Sequence, residues 1–217
     1  MSTDAANHAT AIETADRPAA AHRANAYHVL AKAFRTPAEW DEALPHALRR
    51  HFAPFGTPLL ERAAETADAC QAALHDRERA SVDHARLFIG PFEIQAPPYA
   101  SLYLDPEQRL MGPVSQAAAH AYAEAGLAPG PAPKEAPDHV AVELEFMYFL
   151  AFQEATTAEP AWAERQRRFW QSHLGRWLPE LARRIGDADA HPFHAALARL
   201  VAGFAEWEAG FWRARAQ

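Results

Sequence analysis

His139 and Glu143 stand at i and i+4 in the run Asp138-His139-Val140-Ala141-Val142-Glu143-Leu144-Glu145, a separation at which two side chains on one helical face can share a metal ion. A catalytic zinc centre draws on about three protein ligands. The 12 histidines of the chain include no His-Glu-x-x-His pattern, and Met147 occupies the position one turn beyond Glu143. A lone His–Glu pair is more often a cap or a buried hydrogen bond, so no metal is expected. Glu143 and Glu145 also make a poor acid–base pair, because residues two apart on a helix point in different directions. The expectation for Glu143 is a buried acceptor that holds a neighbouring helix or loop, a role that needs satisfied hydrogen bonds but no reaction. There is no Gly-x-Ser-x-Gly elbow, phosphate-binding Gly-Lys loop or dinucleotide glycine fingerprint. No catalysis and no cofactor are expected.

Cys70 is the single cysteine, in an alanine-rich stretch. An internal disulfide and Cys-rich zinc or iron–sulfur centres are excluded, and Cys70 reads as a small core residue. The formal net charge of −7 offers no cationic field to gather phosphate backbones, which argues against nucleic acid. Paired arginines at Arg49-Arg50, Arg167-Arg168 and Arg183-Arg184 lie inside helical patterns and read as solvated helix faces. The first 17 residues are polar, without the basic and apolar regions of a secretory signal, and are expected to be disordered. No run approaches the ~18 apolar residues of a membrane span, and the expected location is cytoplasmic.

The elements that position these residues read as helices. Alanine is abundant, glycine is sparse at 9, and most of the 17 prolines fall between periodic segments. A first helix is expected over Ala20–Phe34, with Ala26, Val29, Leu30 and Ala33 as its stripe. Short helices follow over Ala38–His51 and Pro58–Asp76, then an approach from Arg79 to Phe88 that Gly90-Pro91 breaks. Val114–Ala125 returns to helix and ends at Gly126, a natural left-handed position. Asp138 is the expected N-cap of the apolar helix that follows. Two helices over Trp162–Leu174 and Trp177–Ile185 are expected to be separated by Gly175. His191-Pro192 opens a last helix, with Phe193, Leu197, Leu200, Val201, Phe204, Trp207 and Phe211 on one face. The fold class is all-α: residues 18–217 form one helical domain of two packed lobes, about 18–128 and 138–217, joined by a Pro-rich hinge over 129–137.

Pro91–Gly112 carries four prolines and no sustained helical period, so it is expected to be an extended loop across the helical body. Phe92, Tyr99 and Tyr103, interleaved with Pro97 and Pro98, can either line a shallow groove for an apolar peptide segment or pin the loop to its own core. The residues alone leave both open.

Leu87-Phe88-Ile89-Gly90-Pro91, Ala96-Pro97-Pro98-Tyr99-Ala100-Ser101-Leu102-Tyr103-Leu104-Asp105, Leu110-Met111-Gly112-Pro113 and Glu135-Ala136-Pro137-Asp138-His139 through Met147, with His191-Pro192-Phe193, resemble in order and spacing the TorD/DmsD (NarJ-like) redox-enzyme maturation chaperones of molybdoenzymes. The resemblance runs from about Asp83 to near the C-terminus. It implies a helical chaperone without chemistry of its own. Such a protein recognises the twin-arginine signal peptide and the apo form of a molybdopterin oxidoreductase catalytic subunit, assists cofactor insertion and prevents premature Tat export. It would be a monomer or a domain-swapped dimer. Leu87, Phe88, Gly90, Pro91, Phe92, Pro98, Tyr99, Ser101, Tyr103 and Asp105 then match the family's loop motif, and Glu135, Asp138 and His139 its acidic–histidine hinge. Ala136 stands where the family often has proline, and His84, Tyr99 and Tyr103 stand where other aromatic residues are common. Glu135, Asp138 and Asp105 are the candidate partners for a signal's arginines. The competing readings are a small helical metal-dependent hydrolase built on His139, Glu143 and Glu145, and a generic module that binds an amphipathic helix.

Overall fold

The computed structural model describes residues 3–90, 94–128 and 135–215. Every named element among them is helical: α1 Thr3–Ala33, α2 Leu44–Phe52, α3 Thr57–His75, α4 Arg77–Phe88, α5 Ser101–Leu104, α6 Pro113–Glu124, α7 Val140–Thr157, α8 Pro160–Phe169, α9 Gly175–Asp187 and α10 Pro192–Ala214. The all-α expectation holds. The many prolines have a common use, since α2, α3, α6, α8 and α10 each carry one at their first or second position. There the missing amide costs no hydrogen bond and the fixed φ suits the helix. At the other end of α6, Gly126 takes φ +82, the left-handed stop read from the sequence.

The longest packing seam joins α1 to α7, with α10 lying on α9 and α3. Ala26 and Ala33 let α1 approach α7 closely, and Tyr27 and Leu30 are fully buried. The apolar side chains of α7 account for its position: Val140, Ala141, Leu144, Met147 and Leu150 are all fully buried. Such a helix is stable only in the interior. The expected lobes on either side of 129–137 therefore share one core, because α1 and α3 belong to the first and α7 and α10 to the second.

Arg23 is buried at 0% exposure. Its Nε and Nη2 donate to the two Glu208 oxygens at 2.7 and 3.0 Å, and its Nη1 donates to Gln166 Oε1 at 2.7 Å. The guanidinium also lies 4.4 and 4.6 Å from the Phe211 and Trp212 ring centres. One side chain thus ties α1 to α8 and α10, and the bidentate geometry offsets the cost of burying the charges.

Two boundaries differ from the sequence reading. The first helix starts at Thr3 and not at Ala20. Gly175 does not separate two helices: α8 passes through a π-helical turn, Trp170–Leu174, straight into α9. A Cβ at Gly175 would meet the Trp170 ring and carbonyl at 2.7 Å. Glycine is needed here for close approach, not for a break. The expected loop over Pro91–Gly112 also contains the single helical turn α5, while Pro91, Phe92 and hinge positions 129–134 lie outside the described residues.

Candidate functional site

Two segments far apart in sequence are clasped together. Ala100 N donates to Asp138 O at 2.9 Å and Val140 N to Pro98 O at 2.8 Å, an antiparallel bridge that pairs Tyr99 with His139. The Asp138 side chain closes the clasp: Oδ2 accepts from Ser101 N at 2.9 Å and Oδ1 from Ser115 Oγ. The loop before α5, the start of α6 and the hinge before α7 are thereby held by one carboxylate. Tyr122 adds a bond from its hydroxyl to Pro137 O at 2.6 Å.

This corrects the assignment of Asp138 as N-cap of α7. The cap is His139, whose Nδ1 accepts from Ala141 N at 3.2 Å. Adjacent residues can both cap a helix start, and Asp138 is drawn away by the buried amide and hydroxyl it alone can reach. A carboxylate at 0% exposure that already accepts two hydrogen bonds has no free face for an incoming arginine. Asp105 is engaged too, accepting from Glu107 N at 2.9 Å and Arg109 Nε at 3.2 Å. The Glu107 amide, followed by Arg109, lowers its pKa. Of the three acidic candidates, Glu135 alone is left part-exposed.

The loop motif divides in the same way. Leu87, Phe88 and Ser101 are buried, and Leu87 O accepts from Ala96 N at 2.9 Å. Pro98 is buried as well. These residues build the scaffold. Gly90 takes φ +77 and donates its amide to Ala85 O at 2.7 Å, ending α4 in a turn that favours glycine. Tyr103 is pinned to the body: its hydroxyl donates to Pro97 O at 2.8 Å, its ring lies 5.3 Å from that of Trp177, and Arg184 sits 4.7 Å above it. Tyr99 is different. Its half-buried ring lies 5.3 Å from the His139 ring and its hydroxyl 3.4 Å from Glu135 Oε2. Burial first, and Glu135 second, raise the Tyr99 pKa. Burial pushes His139 down to about 4, so at neutral pH its Nδ1 is free to accept from the helix.

Glu143 is the buried acceptor that the sequence led us to expect. Trp177 Nε1 donates to its Oε2 at 3.0 Å, and His173 Nε2 lies 2.7 Å from Oε1, off the line of a straight hydrogen bond. Burial raises its pKa to about 6. Glu145 points the other way, to Arg35 at the surface. His139 and Glu143 do not converge, and among the described residues no group of three or more His, Cys, Asp or Glu is placed to hold a metal. Cys70 is buried, its thiol pushed up to about 12 by burial.

Residues 53–183 match the family model described as nitrate reductase delta subunit. The chain is 30% identical over 179 residues to the chaperone protein TorD of Salmonella arizonae, a match covering 78% of this chain and 82% of that one. The chain belongs to this family. TorD of Shewanella loihica is 33% identical over 126 residues, 56% of each chain. A putative redox enzyme maturation protein from Archaeoglobus fulgidus has the same fold, with TM-score 0.57 at 23% identity over 84% of this chain and 93% of that one.

As a chaperone of the TorD family, the protein is not an enzyme, and its buried carboxylates serve architecture. The family motifs are legible as two kinds of residue, those that build the clasp and those left at its surface. Ile89, Leu110 and Met111, which the sequence reading placed in the motif runs but not among the candidate binding residues, are large apolar side chains 61, 55 and 61% exposed. Their signal was available: Leu110 and Met111 interrupt an otherwise polar stretch, and Met111 takes φ +58, an unusual conformation for a methionine. No helix among the described residues is long and apolar enough to cross a membrane.

Proposed function

We propose that the protein is a cytoplasmic, system-specific chaperone that binds the twin-arginine signal peptide and the apo form of a molybdopterin oxidoreductase catalytic subunit. It holds the client while its cofactor is inserted and delays Tat export until then. The observation that carries this reading is the clasp, which brings the two motif segments together and leaves Tyr99 and Glu135 partly exposed in contact with each other. Glu135 pairs with a signal arginine, and the apolar part of the signal covers neighbouring apolar surface at roughly 25 cal/mol per Å2 buried. Ile89, Leu110 and Met111 belong to the same motif segments and are the exposed apolar groups for that contact. The complex needs no metal or cofactor on the chaperone, which works as a monomer or a domain-swapped dimer.

Titration calorimetry of the full chain against the twin-arginine signal peptides of the host tests the reading. One of them binds, and its Lys-Lys variant binds more weakly because lysine cannot form the bidentate pair. Folded protein that binds none of them ends the proposal.

A further inference from the structure

A cavity of about 290 Å3 opens between α6, α7, α8 and the π-helical turn, on residues that the clasp does not use. Phe146 and Phe169 give it an apolar floor, and Arg165, Arg168, Ser172 and His173 line its wall. His173 is 6% exposed and is held in two ways. Its ring stacks on Phe169 at 5.1 Å and 26°, and its Nε2 faces the buried carboxylate of Glu143 at 2.7 Å. A carboxylate behind an imidazole fixes its orientation. The Nδ1 of His173 has no hydrogen-bond partner among the described residues.

The charges of the wall are uneven. Arg168 is matched by Glu124 at 2.8 Å, and His120 faces the same carboxylate at 3.2 Å. Arg165 contacts the Trp162 ring at 4.8 Å and pairs with no carboxylate among the described residues. In a chain of net charge −7, Arg165 leaves this wall a positive excess beside the edge-to-face pair of Phe146 and Phe169, 4.9 Å apart at 80°. The His173 position also depends on the π-turn, a costly irregularity that is frequent at binding sites.

We propose that this cavity is a second binding site, for a small organic anion that carries a phosphate or carboxylate on a flat apolar skeleton. Arg165 holds the anionic group beside the His173 imidazole, and Phe146 and Phe169 border the apolar part. The volume admits a ligand of one or two rings. The site lies apart from Tyr99 and Glu135, so it does not depend on the signal-peptide reading.

The test is a histidine-selective NMR titration of the full chain with phenyl phosphate, benzoate, inorganic phosphate and phenol. The expected result is saturable binding of phenyl phosphate or benzoate that moves the His173 imidazole signals, with inorganic phosphate and phenol each at least about tenfold weaker. Arg165→Gln, a change at a partly exposed position, should weaken the aromatic anion about tenfold, the effect of losing one charged partner. Shifts confined to histidines other than His120 and His173, affinity unchanged in Arg165→Gln, or inorganic phosphate binding as well as phenyl phosphate would each overturn the assignment, as would no saturation by about 10 mM, a very weak affinity.

Discussion

The Asp138 carboxylate accepts the backbone amide of Ser101, 37 residues away, at 2.9 Å, and both residues are fully buried. A carboxylate in that position is a structural clasp. Because Ser115 Oγ donates to its other oxygen, one side chain holds the loop, α6 and the α7 start together.

Asp138→Ala should therefore lose about 2–4 kcal/mol of stability, since it strands a buried amide and hydroxyl. Asp138→Asn keeps one acceptor oxygen, and the Ser115 hydroxyl can turn to accept from the new amide, so the loss should be nearer 1 kcal/mol. Urea melts of the two variants check this. Equal losses would mean that shape, not hydrogen bonding, holds the clasp.

Glu135→Gln separates client binding from folding. Its carboxylate is partly exposed and, among the described residues, pairs only with Tyr99 and His139 at 3.4 and 4.0 Å, so the thermal midpoint should hardly move. Binding of a twin-arginine peptide should weaken by about 0.5–1 kcal/mol and lose part of its salt dependence. Calorimetry at two salt concentrations reads both effects, and unchanged affinity would remove Glu135 from the arginine contact.

Burial depresses both His84 and His139 to about 4. Unfolded histidine titrates near 6.5, so between these values the unfolded chain binds protons that the native state resists. Stability is fully present above about pH 6.5 and falls as the pH drops through that window toward 4. His84→Phe keeps a ring against Phe88, 4.9 Å away, and should flatten this acid limb by as much as ~3 kcal/mol. Glu143 works in the opposite direction, because its raised pKa favours the folded state as pH falls through about 6. Denaturant midpoints from pH 4 to 7 for wild type and His84→Phe decide it. Parallel curves would show that His84 does not titrate as stated.

Arg23→Ala should cost about 3–5 kcal/mol, because it leaves Glu208 buried without its partner. Glu208 is itself at 0% exposure. Replacing both residues by apolar ones of similar size should recover most of the loss. A double variant no more stable than Arg23→Ala would mean that the hydrogen bond to Gln166 carries the effect.

What could be read from the sequence was local. The apolar face of α10, the interior character of α7, the left-handed stop at Gly126 and the core position of Cys70 all follow from residues within a few positions of one another. The burial of Glu143 could be read as well, because it sits inside an apolar run where an acid is tolerated only with partners. The family motifs were equally visible, and they reported the fold class. Which acid caps α7 was not legible: Asp138 and His139 are both competent, and the choice depends on Ser101 and Ser115, brought beside Asp138 only by folding. The same holds for Asp83, which accepts from His191 N at 2.9 Å and lies 2.7 Å from His194 Nδ1, 111 residues away. The π-turn that presents His173 also has no local code, since propensity does not separate one helical register from another when packing against Trp170 decides. Sequence determined the helices and their buried faces by short-range sterics and periodicity. Tertiary structure alone decided which polar side chains are consumed in holding them and which remain for a ligand, because a buried donor must be satisfied by whatever acceptor the fold delivers.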